Sequence, residues 1–143
     1  MLVTPASPDD ASAIAELLAQ LGYPTGAADI PARLAAVVAA NGAVLLLRPG
    51  ATEPPVGLVA LQSYPVIHRP GPTAYITALV VAAEARGVGA GRALLAAAER
   101  WARERGCDRL AVTSAEHRDG AHHFYPRSGL PYTGRRYSRS LDG

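Results

Sequence analysis

The apolar positions of this chain repeat with two periods, and the changes of period mark its elements. Near the start, Ile14, Leu17, Leu18 and Leu21 recur at helical spacing within "SPDDASAIAELLAQLGY", which predicts an amphipathic helix. Its ends are signalled too. Ser7 suits the N-cap, Pro8 the first helical position, Asp9 and Asp10 the positive end of the helix dipole, and Gly22 the stop. A second helix is expected over Ala28–Ala40, with Ile30, Leu34, Val37 and Val38 turned inward and Asn41 and Gly42 ending it. The pattern then shortens. "LVT" at the start, Ala43–Arg48, Val56–Tyr64 and Thr73–Val81 read as strands. The strands on either side of "PGATEPP" make a hairpin, and "TAYITALVV", the longest β-branched run, belongs at the centre of a sheet.

Helical spacing returns over Gly91–Arg105, where Leu94, Leu95, Ala98, Trp101 and Ala102 form one face and Gly106 ends the run. A strand over Asp108–Ala115, a short helix over Gly120–Tyr125 and a closing hairpin of "LPYT" and "RRYSRSL" complete the pattern. No repeat, low-complexity tail or linker interrupts it, so residues 1–143 are read as one domain.

Composition narrows the classes. A chain of 143 residues is long enough to bury a real core. No apolar run approaches a membrane span, so no membrane partner is expected. "MLVTPASPDDAS" has neither a basic leader nor a long apolar core, so no secretory signal is expected either. The single cysteine, Cys107, allows no internal disulfide and fits a cytoplasmic protein. The net charge of +2 is uneven: residues 1–80 hold five acids and three arginines, a balance of −2, and residues 81–143 hold seven acids and eleven arginines, a balance of +4. An anionic partner is thus expected in the second part. Its arginines are interspersed with acids rather than clustered, which argues against nucleic acid.

The second part also contains "EARGVGAGRALLAAAERWARERG", a glycine-rich turn between a strand and a helix. Such a turn exposes backbone N–H groups, and the helix behind it adds the positive end of a dipole, which together make an anion cradle. Glycine is needed where a side chain would block close approach or forbid the backbone angles; the same glycines also serve a plain tight turn. Two familiar phosphate loops are excluded. A dinucleotide fingerprint would need glycine where Arg92 stands, and a P-loop needs a lysine, of which the chain has none.

In its context the stretch resembles the acetyl-coenzyme A signature of the GNAT (Gcn5-related) N-acetyltransferases, [Q/R]-x-x-G-x-[G/A], here Arg86, Gly89 and Gly91 with Gly87 and Val88 between. "AHHFYPRSGL" is similar to the family's second block, and "SPDDASAIAELLAQLGY" looks like its opening. The resemblance implies an α/β fold, a mixed and strongly bent six- to seven-stranded sheet with helices on both faces. It implies acetyl-coenzyme A (acetyl-CoA) as co-substrate and no metal. The backbone of Arg86, Gly87, Val88, Gly89, Ala90, Gly91 and Arg92 would hold the pyrophosphate, and that of Leu79, Val80 and Val81 would pair with the pantetheine arm as an added strand. Arg86 and Arg92 would add charge there, or stand as solvated helix-end residues.

Acetyl transfer to an amine needs a neutral nucleophile, a donor for the developing oxyanion and a proton for the departing thiolate. Tyr125, in the "FY" pair, matches the family's usual general acid; the alternative is a core aromatic with a satisfied hydroxyl. Pro126 directly after it departs from the family pattern and is expected to end the helix or distort its last turn. Many members carry a carboxylate on the central strand, whereas "AYITALVV" offers only Tyr75 and Thr77 as polar residues. Glu116, His117, His122 and His123 are the remaining candidates for a base; deprotonation through water or solvent is expected instead. No Cys/His cluster has metal-ligand spacing. The acceptor, a small-molecule or peptide amine, is left open, as is a homodimer. A non-catalytic acyl-CoA sensor is the alternative function.

Overall fold

Ser7 opens the first helix, but through a 3₁₀ turn at Pro8–Asp10 that passes into helix α1 at Ala11–Leu21. The Asp10 carboxylate reaches back to accept from the Ser7 N–H at 2.9 Å, and Gly22 stops the helix in the left-handed conformation at φ 105°, which glycine adopts without strain. The computed structural model describes residues 1–113 and 119–141. Two compact units divide the chain, residues 1–111 and 112–143.

The first unit follows with helix α2 at Ile30–Ala39, helix α3 at Ala90–Glu104 and strands β1 at Leu2–Pro5, β2 at Gly42–Arg48, β3 at Gly57–Tyr64 and β4 at Thr73–Val81; strand β5 at Arg109–Val112 has all but its last residue in it. The sheet order is β1-β2-β3-β4-β5. The first four strands pair antiparallel in succession. Asp108 N donates to Pro72 O at 3.1 Å, so β5 starts beside the start of β4 and runs in the same direction after the crossover through α3.

Alternation along β2, β3 and β4 separates two cores. Leu46, Leu58 and Val80 lie in one cross-strand row and pack with Ile14, Leu17 and Ile30 from α1 and α2. Gly57, the next residue along β3, faces the other way: a Cβ there would come within 2.9 Å of Leu94 Cδ1. That contact sets α3 on the opposite face. Its expected apolar side, Leu94, Leu95, Ala98, Trp101 and Ala102, is buried throughout.

Four expectations change. The sheet has five strands among the described residues, not six or seven. The missing pair is the closing hairpin: "LPYT" and "RRYSRSL" form no strand over the described residues, and 131–141 are exposed throughout. Pro131 lacks an N–H, and alternate residues of the last segment give no apolar face to bury, since arginine or serine falls on both. Val38 points outward, 65% exposed, because α2 lies with only Ile30 fully buried. Strand β5 ends at Val112, short of the expected Ala115, which lies outside the described residues.

In the second unit, helix α4 spans Asp119–Arg127 and carries Pro126 inside its last turn. The helix therefore continues one residue past the proline. It closes with Leu130 N donating to Tyr125 O at 2.9 Å and Gly129 at φ 91°.

Asp10 ties the first unit together. Its carboxylate pairs with Arg48 of β2, whose guanidinium also donates to Thr4 Oγ1 at 3.4 Å and to Glu53 O at 3.1 Å. Burial alone raises the Asp10 carboxyl, but the Ser7 N–H and the Arg48 charge outweigh it and hold the group below its ordinary value. Stability from this group is therefore full above the unfolded carboxyl pKa and is lost as pH falls through the lower folded value. Asp10→Asn is expected to cost about 1.5–3 kcal/mol near neutral pH and to flatten stability between about pH 5 and pH 2. Urea melts of both proteins across that range check it; parallel acid profiles would remove Asp10 as the cause.

Candidate functional site

Strand β4 ends in a short 3₁₀ turn at Ala83–Ala85, and the glycine stretch joins that turn to α3. Gly87 and Gly89 both take the left-handed conformation, at φ 84° and 83°. An added Cβ at either would meet nothing within 4 Å. Backbone angle, and not crowding, is thus what demands glycine in the free protein, and the open space is what a ligand needs for close approach.

Gly89 occupies the N-cap of α3 with no side-chain cap, and the first bond into the helix is Ala93 N to Gly89 O at 3.0 Å. The N–H groups of Ala90, Gly91 and Arg92 precede it and have no intrahelical acceptor. They add to the dipole's positive end. Arg86 and Arg92 are both exposed at the rim. A cavity of about 260 Å³ lies nearby, between α1 and the β2–β3 turn, but Glu16, Glu53 and Glu84 line it. Those three acids disfavour an anion in that cavity, whereas no acid lies within Arg86–Arg92.

The backbone of β4 supplies the second component. Ala82 N donates to Val56 O at 2.8 Å. Antiparallel pairs alternate in direction, so Val80 and Ala78, opposite Leu58 and Ala60, also direct their polar groups at β3. Leu79 and Val81 direct theirs to the opposite edge. There, Val81 O accepts from Arg86 Nε at 3.2 Å. Of the three residues expected along the pantetheine arm, Leu79 and Val81 thus offer hydrogen bonds, while Val80 spaces them and is buried in the core.

Among the described residues, strand β5 does not reach that part of the edge. Beginning beside Pro72 and only four residues long, it runs along the first half of β4 at about 3.3 Å per residue. Between Ile76 and Ala78 the ladder with β3 shifts register, Ala60 pairing with Ala78 and Leu61 with Ile76, so Thr77 is an unpaired bulge residue. The outward-facing positions are Pro72, Ala74 and Ile76 before the bulge and Leu79 and Val81 after it. A strand in step with the first set falls out of step with the second. Among the described residues of the first unit, no strand covers the edge at Leu79 and Val81.

The first unit therefore brings together Leu79–Val81 and Arg86–Arg92. Tyr125 belongs to the second unit, half-buried on α4, with Phe124 packed edge-on at 5.3 Å. Of the candidate bases, His122 and His123 are exposed on the same helix, and His123 Nε2 lies 3.0 Å from Arg127 Nη1. Glu116 and His117 fall outside the described residues. No group of three or more His, Cys, Asp or Glu among the described residues is placed to hold a metal ion.

Two features escaped the sequence reading. Gln20 of α1 accepts from Ala83 N at 2.9 Å through Oε1, anchoring the turn that precedes the glycines; no local signal marks it. The bulge was detectable only as a change in alternation, which an almost wholly apolar strand conceals.

Comparison with known proteins agrees with this geometry. The chain superposes on an acetyltransferase from Trypanosoma brucei with a TM-score of 0.83 and 23% identity, over 98% of this chain and 99% of that one. A transcriptional regulator from Bacillus halodurans matches with a TM-score of 0.86 and 21% identity, over 98% and 99%. Glucosamine-6-phosphate N-acetyltransferase from Arabidopsis thaliana matches with a TM-score of 0.84 and 16% identity, over 99% and 98%. Identities this low establish the fold alone. No curated protein sequence matches. The family model described as "Acetyltransferase (GNAT) family" matches residues 15–130, and the chain belongs to that family.

Proposed function

We propose that this chain is an N-acetyltransferase that moves an acetyl group from acetyl-CoA to a primary amine by direct attack, through a tetrahedral intermediate. One observation carries the reading. A candidate anion cradle at Arg86–Arg92 adjoins a strand edge at Leu79 and Val81 that no strand covers among the described residues. A phosphate-bearing ligand with an extended amide arm matches both together.

In this reading the N–H groups from Arg86 to Arg92 hold the pyrophosphate. Leu79 and Val81 accept and donate to the arm as a neighbouring strand would, and their apolar side chains are no obstacle because only main chain is used. Tyr125 is the general acid for the departing thiolate. The acceptor is the amine of a small molecule or a peptide.

A second reading, a non-catalytic acyl-CoA sensor, is favoured by one feature: β4 carries no carboxylate to serve as base. A thiol-release screen over a panel of amines separates the two. Release with any amine supports the enzyme, and binding with no release supports the sensor.

Acetyl-CoA is expected to raise the melting temperature, adding about 2.7 kcal/mol at a hundred times its dissociation constant. Gly89→Glu is expected to abolish the shift. Gly89→Ala shares its backbone strain at φ 83° without the negative charge, and should retain more of the binding. Absence of any shift with wild type at millimolar ligand would sink the reading.

Tyr125→Phe keeps the ring and loses only the hydroxyl. It is expected to lower kcat about 10²–10⁴-fold with little change in cofactor affinity. Steady-state rates with calorimetry test it, and an unchanged rate would leave Tyr125 a packing residue.

With no carboxylate on β4, the amine must lose its proton to water or solvent. For an alkyl amine with pKa near about 10.4, kcat/KM is expected to keep rising through about pH 8–9. Loss of a lower limb in His117→Ala, His122→Ala or Glu116→Gln alone, with cofactor binding intact, would identify a dedicated base instead.

A further inference from the structure

We infer that Arg86 sets specificity for a phosphate-bearing thioester, because its side chain covers an acceptor on the strand edge that the arm needs; this rests on the transferase reading above. Val81 O is the last outward carbonyl of β4. It is not free: Arg86 Nε donates to it at 3.2 Å. The donor lies five residues further along the chain, so the side chain reaches back past the 3₁₀ turn at Ala83–Ala85. Arg86 itself is extended, at φ −72° and ψ 150°, between that turn and the left-handed Gly87. It is exposed, and among the described residues no carboxylate pairs with it. The acid nearest in sequence, Glu84, lines the cavity beside α1 instead.

Two acceptors compete for this one guanidinium. In the free protein the acceptor is a neutral carbonyl at an exposed edge. A phosphate seated in the glycine turn is a charged acceptor beside the same residue, and hydrogen bonds between ionised partners are roughly twice as strong as neutral ones. The side chain is therefore expected to exchange Val81 O for the phosphate. The arm needs that exchange. An N–H of a strand added at the edge stands about 2.9 Å from its acceptor oxygen, which is the place Arg86 Nε holds. An arm running from the cradle toward Leu79 meets Val81 first. A thioester that carries phosphate clears its own path as it binds. One without phosphate finds the guanidinium in place and has to displace it with nothing in return. Arg86 thus couples the two halves of the site, favouring a ligand at the phosphate end and opposing it at the strand edge.

Titration calorimetry on the whole chain tests this with acetyl-CoA and with acetyl-pantetheine, the same thioester without its nucleotide and phosphates. Arg86→Ala removes both interactions. It is expected to bind acetyl-CoA about tenfold more weakly than wild type, and acetyl-pantetheine about fivefold more tightly. Arg86→Gln places an N–H donor the same number of bonds from Cα as the arginine Nε but carries no charge. It should weaken acetyl-CoA as alanine does, yet leave acetyl-pantetheine within about twofold of wild type. A side chain that only supplied charge to the phosphates would leave acetyl-pantetheine unchanged in both variants. One that only held the turn together would weaken both ligands in Arg86→Ala. Either result overturns the inference and leaves the transferase reading in place. A second measurement needs no arm. The Val81 carbonyl-carbon chemical shift in unliganded Arg86→Ala marks the uncovered oxygen, and inorganic pyrophosphate should move the wild-type shift to that value. A wild-type shift that stays in place at saturating pyrophosphate overturns the inference as well. Wild type that binds neither acetyl-CoA nor pyrophosphate sinks the transferase reading, and the role of Arg86 falls with it.

Discussion

Strands β3 and β4 are covered on both faces, by α1 and α2 on one side and α3 on the other, and the candidate site depends on that double cover. With both faces buried, the only backbone groups of β4 still available to a ligand are those at its edge. Burying Leu46, Leu58 and Val80 against Ile14, Leu17 and Ile30 prevents the strand from rotating to relieve an unpaired edge. Burying Leu94 against Gly57 sets the height at which α3 starts, and so where its free N–H groups point. The cradle and the open edge are held in one arrangement because the same packed strands support both.

The unpaired edge would otherwise be a hazard, since exposed strand groups recruit other strands. Here it is short, and the bulge at Thr77 breaks its register with the half that β5 covers. A long strand cannot pair across both halves in step. What fits is a ligand needing only the two outward residues, Leu79 and Val81, and carrying negative charge at the end nearest the glycines. In the proposed reading, recognition uses main chain for the arm and helix-end N–H groups for the phosphates. It places few demands on side chains, which is consistent with a site whose strand is almost entirely apolar.

The acceptor side is governed by different chemistry. Tyr125, half-buried beside Phe124, and the exposed His122 and His123 lie on α4 in the second unit. The structure of α4 shows that Pro126 is accommodated in the final turn rather than ending the helix before it. Helical bonding resumes after it, Ser128 N donating to Phe124 O at 3.0 Å before Leu130 N closes on Tyr125 O.

The sequence by itself determined the elements whose signals are local. Ser7, Pro8 and Gly22 mark the ends of the first helix, the apolar face of Leu94 to Ala102 is buried as its spacing requires, and Gly87 and Gly89 take the positive φ that the turn demands. The resemblance of the Arg86–Gly91 signature to one family rested on such local signals, and the family match agrees with it. Tertiary structure alone decided the rest. Val38 is apolar yet exposed because the packing around α2, not its own pattern, selects its buried face. The closing hairpin did not form over the described residues because a strand needs a partner edge and an apolar face, and neither can be read from a segment's own turn residues. The bulge at Thr77 lies in a run where nearly every residue is apolar, so alternation gives no phase; only pairing with β3 reveals the extra residue. Which backbone groups of β4 face outward follows from that register, a long-range property that local sequence does not encode.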